Sequence, residues 1–259
     1  MSDQHTIKPT ADGSTTLVSK RFNQPFHSLH GAVAESRYLY FEMNGLIRAL
    51  QQETNEPLVV LESGFGTGLN LFLLMEYCSI TPVQRPVHFL SSEKYPVSAG
   101  VAKQLSFDGV SDAIRYRDHL SAIVANLQPG ANRFQLTERV TLHLFVGGFK
   151  DAANRTEEKA HFILHDPFSP EANPEGWQPE LFTALHAAAR PEAVLSTYCA
   201  AVAARASMAV GGWYLHRAPG ALGKREMTLA TPTDIPLAHA KPIQRNRLIE
   251  RYQNGEFAR

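Results

Sequence analysis

The chain has 259 residues, 44% of them hydrophobic, and its 25 basic and 25 acidic side chains balance to zero formal charge. That length suits one α/β domain with additions, or two small domains, with a sizeable core. Balanced charge excludes a global field that gathers nucleic acid, so a nucleic-acid partner needs a local basic patch.

The two cysteines, Cys78 and Cys199, are too few for a disulfide framework and lack C-x-x-C metal spacing, which points to a reducing cytoplasm. No apolar run approaches the length of a membrane span, and the polar first five residues carry no sign of a signal peptide.

Residues 1–20 are polar and are expected to be extended or frayed. Residues 32–52 carry helical periodicity in Ala34, Tyr38, Leu39, Phe41, Leu46, Ile47 and Leu50, broken at Asn44-Gly45. A polar linker at 53–57 leads into alternating elements. The pattern predicts strands at 58–62, 87–92, 140–146, 161–165 and 194–198. Helices are predicted at 69–78 and 97–104, from Ser111-Asp112 onward through Ile114, Leu120, Ile123, Val124 and Leu127, at 178–189 and at 200–209. Strands at 213–217 and 226–230 close the core, and the basic stretch Arg245 to Arg251 forms a short amphipathic helix.

Strands alternating with helices give a mostly parallel sheet covered on both faces. The loop at 218–225 is too short for a crossover helix, so the last two strands form an antiparallel hairpin. The expected fold is therefore α/β and Rossmann-like, with seven strands, as in a methyltransferase rather than a dehydrogenase. It divides into an N-terminal extension (1–56), a core (57–231) and a C-terminal tail (232–259).

The most informative stretch follows the first core strand. Glu62 ends that strand, Gly64, Gly66 and Gly68 alternate after it, and an apolar helix begins at Leu69. Glycines there let a turn take positive φ, or let backbone approach a ligand where a Cβ has no room. A dinucleotide loop usually reads G-x-G-x-x-G. Here the pattern is G-x-G-x-G, with an acid two residues before the first glycine. A pyrophosphate disfavours that acid, whereas the ammonium and sulfonium of S-adenosylmethionine welcome it. A nucleotide site and a plain structural turn remain alternatives.

In open α/β sheets, ligands lie at the carboxyl ends of the strands. Glu62, Glu93, Gly147 and Asp166 fall there. Glu93 is placed to accept hydrogen bonds from ribose hydroxyls, or is a capping acid, and Lys94 can pair with it. The stiff loop from Asp166 to Trp177 is a substrate platform, or a proline-rich connector with Trp177 in the core. His143, His161, His165 and Asp166 offer a rival metal-site reading, with no second half of a ligand pattern to support it.

Several segments occur together in an order that resembles a known family. They are Glu35-Ser-Arg-Tyr38, Gly64 to Asn70, Ser92 to Pro96, Asp166-Pro-Phe-Ser-Pro170, Asn173-Pro174, Trp177 and Gly223-Lys-Arg-Glu-Met227. They resemble the methyltransferase half of the bacterial bifunctional tRNA 5-methylaminomethyl-2-thiouridine biosynthesis protein and its stand-alone relatives. The resemblance implies methyl transfer from S-adenosylmethionine to the 5-aminomethyl group of the tRNA wobble uridine, with any FAD-dependent oxidase activity on another chain. Two departures stand out. Pro167 takes the place of a family glycine, and Gly147-Gly148 replaces Gly-Asp, with Asp151 three residues on.

The combined reading assigns Glu62, Gly64, Gly66, Gly68, Asn70, Glu93, Lys94 and Asp151 to the cofactor. Asp166 is the catalytic residue, orienting the amine and accepting its proton. Phe168, Trp177, Lys224 and Arg225 are assigned to substrate, the two cations holding phosphate unless they form a solvated hairpin turn. No metal is assigned. A methyltransferase of another small amine or nucleophile, and a non-catalytic binding protein on the same fold, are the alternatives.

Overall fold

The computed structural model describes residues 5–82 and 85–257; the side chains of Ala113 and Ile114, the latter expected on the fifth helix below, lie outside the described set. In chain order it begins with strands β1 (His5–Pro9), β2 (Thr15–Ser19) and β3 (Gln24–Pro25). Helices α1 (Ala32–Arg37) and α2 (Leu46–Leu50) follow, joined by a π-helical turn at Tyr38–Glu42. The core runs β4 (Leu58–Ser63), α3 (Leu69–Ile80), β5 (Val87–Glu93), α4 (Ala99–Ala102), α5 (Ala113–Ala125), β6 (Gly130–Gln135), β7 (Val140–Val146), α6 (Phe149–Arg155) and β8 (Ala160–His165). It continues with a 3-10 turn at Pro174–Trp177, α7 (Pro179–Ala188), β9 (Ala189–Thr197), α8 (Val202–Val210), β10 (Tyr214–Pro219) and β11 (Glu226–Thr231), then β12 (Lys241–Pro242) and α9 (Arg245–Gln253).

The main sheet has the order β12-β10-β11-β9-β8-β4-β5-β7-β6. Strands β7, β5, β4, β8 and β9 are parallel neighbours. β11 inserts antiparallel between β9 and β10, so the expected hairpin is present. All seven expected strands occur, and two more flank them. β6 was not anticipated because its Gly-Ala-Asn-Arg-Phe-Gln sequence is polar, with burial alternating between intermediate and exposed. β12 is only two residues long, and α6 is short and polar. Residues 5–9 and 15–19 are extended as expected but paired across a turn, β1 running antiparallel to β2.

Burial on both faces explains the apolar strand sequences. In β4, Leu58 and Val60 join one core layer while Val59 and Leu61 join the other. α3 is apolar nearly all round because it is enclosed nearly all round, from Leu69 through Glu76. The second layer centres on Phe182 and Trp213, both fully buried, with Trp213 Nε1 donating to the Phe182 carbonyl at 2.9 Å.

The N-terminal strands are tied to the core through Thr15 and Ser106, whose N–H groups donate to the Ser106 carbonyl (2.9 Å) and to Thr15 Oγ1 (2.7 Å). From the β1–β2 loop, Asp12 Oδ2 accepts the N–H groups of Val33 (2.9 Å) and Ala34 (3.1 Å). It caps α1, which starts at Gly31 with no side chain to do so. This fixes α1 and the π-helical turn against the carboxyl edge of the sheet.

Replacing Trp213 with Ala should cost about 3–5 kcal/mol of folding free energy, read as a lower denaturant midpoint. An unchanged midpoint would contradict the packing described for that layer.

Candidate functional site

Parallel strands deliver their last residues to one edge, and there the glycine loop turns over the sheet. Gly64 has φ +100°, and a Cβ on it would lie 3.2 Å from the Asp166 carbonyl oxygen. Gly66 has φ +54°, and its Cβ would meet the Phe26 ring at 3.1 Å. Both positions need glycine for conformation and for space. Gly68 faces the core instead, against Phe65 and Phe72.

Beside this loop lies a cavity of about 600 Å³. Gly64, Gly66, Asn70, Glu93, Lys94, Gly148, Asp151, Asp166 and Phe168 line it, with Arg21, Phe22 and Phe26 closing it from the N-terminal side. Glu93 straddles the loop: its Oε2 accepts from Gly66 N–H (2.9 Å) and its Oε1 from Tyr95 N–H (2.8 Å). Burial raises its pKa. Asp151, in the first turn of α6, is exposed at the cavity rim beside Gly148.

Acids outnumber cations in the lining: Glu93, Asp151, Asp166, Glu175 and Glu180 against Arg21, Lys94 and Lys150. The Asn70 side-chain oxygen is buried without a hydrogen-bond partner at this wall. Such a lining suits a cationic ligand with an amino group to donate, and fits S-adenosylmethionine better than a pyrophosphate.

Asp166 sits where two cavities meet. Tyr40 Oη donates to its Oδ1 at 2.7 Å, and Asn70 Nδ2 approaches its Oδ2 at 3.4 Å. Burial pushes its pKa up to about 7, the nearby Glu35 carboxylate adding to the rise while Tyr40, Asn70 and Lys224 oppose it. Glu62 lies deeper, behind Asn70. It accepts from Ser91 Oγ (2.6 Å) and Asn70 Nδ2 (3.0 Å), and burial pushes its pKa up to about 8. Asn70 thus joins two carboxyl groups, and Glu62 acts on the cavity through it rather than from the lining.

On the other side of Asp166 is a second cavity of about 310 Å³. Its walls include Glu35, Tyr40, Phe168, Tyr198 and Lys224. Phe168 separates the two spaces and stacks on Phe22, ring centroids 4.4 Å apart.

Some residues sit elsewhere than expected. Trp177 lines neither cavity: it is buried against His165 and Tyr198, and its Nε1 donates to the Phe168 carbonyl at 2.8 Å. It supports the platform from beneath. Lys94 pairs with Glu175 (2.6 and 2.8 Å), not with Glu93, whose oxygens already hold backbone N–H groups. Lys224 pairs with Glu35 at 2.5 Å, so its charge is engaged inside the molecule. Arg225 is exposed beside it at the hairpin loop. Pro167 is accommodated by packing on Gly176, where a Cβ would come within 3.0 Å, and its carbonyl accepts from Tyr198 Oη at 2.9 Å.

The strand-end histidines are already committed. His161 Nδ1 accepts from Val59 N–H (3.1 Å), and His165 Nε2 donates to the Gly176 carbonyl (2.9 Å), its pKa lowered by burial to about 3. No metal-competent group of three or more His, Cys, Asp or Glu occurs among the described residues. Glu35, Tyr40 and Tyr198 escaped sequence reasoning; the available signal was an acid and aromatics within one buried helical segment for Glu35 and Tyr40, and the position just past β9 for Tyr198.

Comparison with known proteins agrees with this geometry. Residues 113–233 match the family described as S-adenosyl-L-methionine-dependent methyltransferase. Over residues 113–233 the chain thus matches the S-adenosylmethionine-dependent methyltransferase class, and its sheet order and glycine loop fit that class.

More particularly, it is similar to the tRNA 5-methylaminomethyl-2-thiouridine biosynthesis bifunctional protein MnmC of Cupriavidus metallidurans, with 32% identity over 240 residues, 91% of this chain and 35% of that protein. The protein of the same description from Leptospira borgpetersenii is 30% identical over 224 residues, 85% of this chain and 34% of that one. The chain thus spans about a third of the length of these curated relatives. The crystal structure of MNMC2 from Aquifex aeolicus shares the fold, with a TM-score of 0.74 and 23% identity over 96% of this chain and 75% of that one.

Gly66→Val should weaken S-adenosylmethionine binding at least about tenfold by calorimetry, because a β-branched residue at positive φ also strikes Phe26. Normal binding would remove the loop from the site. A second outcome concerns pH. Glu62 has a folded-state pKa above its ordinary 4.5, so its contribution to stability is full below about 4.5 and is lost as pH rises to about 8. Between about pH 5 and about pH 8 the wild type should lose unfolding free energy that Glu62→Gln retains. Parallel profiles would show Glu62 to be ionised in the fold.

Proposed function

We propose that the chain methylates the 5-aminomethyl group of the tRNA wobble uridine, using S-adenosylmethionine held by Gly64, Gly66, Asn70, Glu93 and Asp151, with Gly68 packing the loop onto the core and Glu62 acting through Asn70. The observation that carries this reading is the position of Asp166, a raised carboxyl group on the wall common to the glycine-loop cavity and to a separate cavity of acceptor size. The MnmC relatives support the choice of nucleoside.

When bound, S-adenosylmethionine supplies a methyl group on a sulfonium, whose carbon–sulfur electron pair stays on sulfur as an amine nitrogen takes the carbon. The amine must be neutral to attack, yet alkyl amines are mostly protonated at neutral pH. An ordinary carboxylate is a poor acceptor for that proton. Asp166, raised to about 7, is a better one. Tyr40 and Asn70 fix its two oxygens, so the proton leaves along a defined direction. Phe168 walls the acceptor cavity and excludes water from the shared edge. Most of the remaining acceleration is positioning.

On the proposed division of the chain, the extension 1–56 supplies half of the acceptor cavity, the core 57–231 carries the cofactor, and the tail 232–259 widens the sheet. Arg225 is free to hold RNA phosphate, while Lys94 serves the cofactor cavity by tethering Glu175. Any FAD-dependent oxidation of the same nucleoside belongs to a separate catalytic unit. No helix among the described residues is long and apolar enough to cross a membrane. Two buried free cysteines support a site of action in the reducing cytoplasm.

The test is a methylation assay on total tRNA from cells lacking the activity, followed by nucleoside analysis. Wild type should convert the aminomethyl nucleoside to its methylaminomethyl form, and kcat/KM should rise with pH through about 7 as Asp166 ionises. Asp166→Ala should bind S-adenosylmethionine normally yet lose about 10²–10⁴-fold in rate. Methylation of a free small amine with no action on tRNA would favour the alternative acceptor, and binding without any transfer would favour a non-catalytic protein.

A further inference from the structure

The second cavity contains an ion pair that the mechanism above does not use. Glu35, on α1, is buried to 8% exposure, while its partner Lys224 reaches in from the β10–β11 loop with its side chain 46% exposed. Glu35 Oε2 also receives the Ser28 N–H at 3.3 Å. Lys224 Nζ lies 5.7 Å from the centre of the Tyr198 ring, whose hydroxyl is fixed to the Pro167 carbonyl. A buried carboxylate, a cation over an aromatic face and Asp166 therefore share one small space. That is the composition of an alkylammonium site, with the cation supplied by the protein itself.

We propose that Glu35 selects the acceptor by charge: in the free protein Lys224 neutralises it, and an entering alkylammonium takes over that place while Lys224, on its exposed loop, swings toward solvent. This inference rests on the amine-methylation reading and adds a specificity residue to it. The physical constraint is that a buried carboxylate is costly without a cation beside it. A neutral hydroxyl cannot replace Lys224, whereas an ammonium can, so alcohols are refused at the binding step. Once seated, the ammonium lies between Glu35 and Asp166. One N–H bond breaks, Asp166 gains the proton, and the nitrogen lone pair is freed. Glu35 holds the nitrogen, making it a positioning residue.

Charge coupling supplies a signature that simple packing would not. Around Asp166 stand Glu35 from α1, Tyr40 from the π-helical turn, Glu62 behind Asn70, Tyr198 after β9, Lys224 from the hairpin loop, and His27, which burial keeps neutral at neutral pH with a pKa of about 4. Glu35 raises the Asp166 pKa and Lys224 lowers it. Removing each charge should therefore move the acid limb of the pH–rate profile in opposite directions.

The experiment uses the full chain saturated with S-adenosylhomocysteine and compares the binding of 5-aminomethyluridine and 5-hydroxymethyluridine by calorimetry. Wild type should prefer the amine by at least about tenfold, and Glu35→Gln should reduce the preference to within about threefold. S-adenosylhomocysteine affinity, measured on the same samples, should be unchanged and reports that the variant is folded. With tRNA as acceptor, Glu35→Gln should raise KM more than it lowers kcat and shift the acid limb to lower pH, while Lys224→Met shifts it higher. Retained amine preference in Glu35→Gln, no binding of either nucleoside to wild type, or shifts of the same sign in both variants would each overturn the proposal. A wild type that ignores tRNA but still shows Glu35-dependent amine preference would sink the RNA reading and leave this inference standing.

Discussion

Five parallel strands end at one edge of this protein, and three of them end in or just before an acid: Glu62, Glu93 and Asp166. Carboxyl groups crowded into a dry region repel one another and lose hydration, so each must be neutralised by a proton, a hydrogen-bond donor or a cation. For these three acids the fold uses the first two. Glu62 is raised and tied to Ser91 and Asn70. Glu93 takes two backbone N–H groups. Asp166 takes Tyr40 and is left raised to about 7. The arrangement favours positive charge, and on the proposed reading a sulfonium donor beside an ammonium acceptor would supply it on both sides of Asp166.

Asn70 is the hinge of this electrostatic arrangement. One side-chain nitrogen serves Glu62 and Asp166 together, at 3.0 and 3.4 Å, while the side-chain oxygen stays unpartnered at the cavity wall. The amide is placed by the first turn of α3, and α3 is placed by enclosure on nearly every side. Packing of apolar residues thus fixes the geometry of the polar ones. The same logic holds beneath Phe168, whose carbonyl is held by buried Trp177 and whose ring is stacked on Phe22.

The N-terminal extension turns a cofactor-binding sheet into a two-cavity site. Asp12 caps α1 from another element, and α1 with the following π-helical turn then presents Glu35 and Tyr40 to Asp166. A sheet of this class carries its donor cavity on its own strands. On the proposed reading, what it accepts is decided by what is laid across the edge, here residues 21–40 and the β10–β11 loop.

By itself the sequence determined the seven central strands of the sheet, though not polar β6 or two-residue β12, because buried strands and enclosed helices write their environment into apolar runs, and it determined the strand-end acids, because parallel topology forces those positions to one edge. The G-x-G-x-G loop was legible for the same reason: only glycine tolerates φ +100° at Gly64 beside the Asp166 backbone. Tertiary structure alone decided the partners. That Lys224 meets Glu35 across 189 residues, that Lys94 chooses Glu175 over its neighbour Glu93, and that Trp177 faces inward while Phe168 faces the cavities are matters of long-range packing. No local pattern encodes them, since a charged or aromatic side chain reads alike at a surface, in a buried pair or at a site until the chain has closed around it.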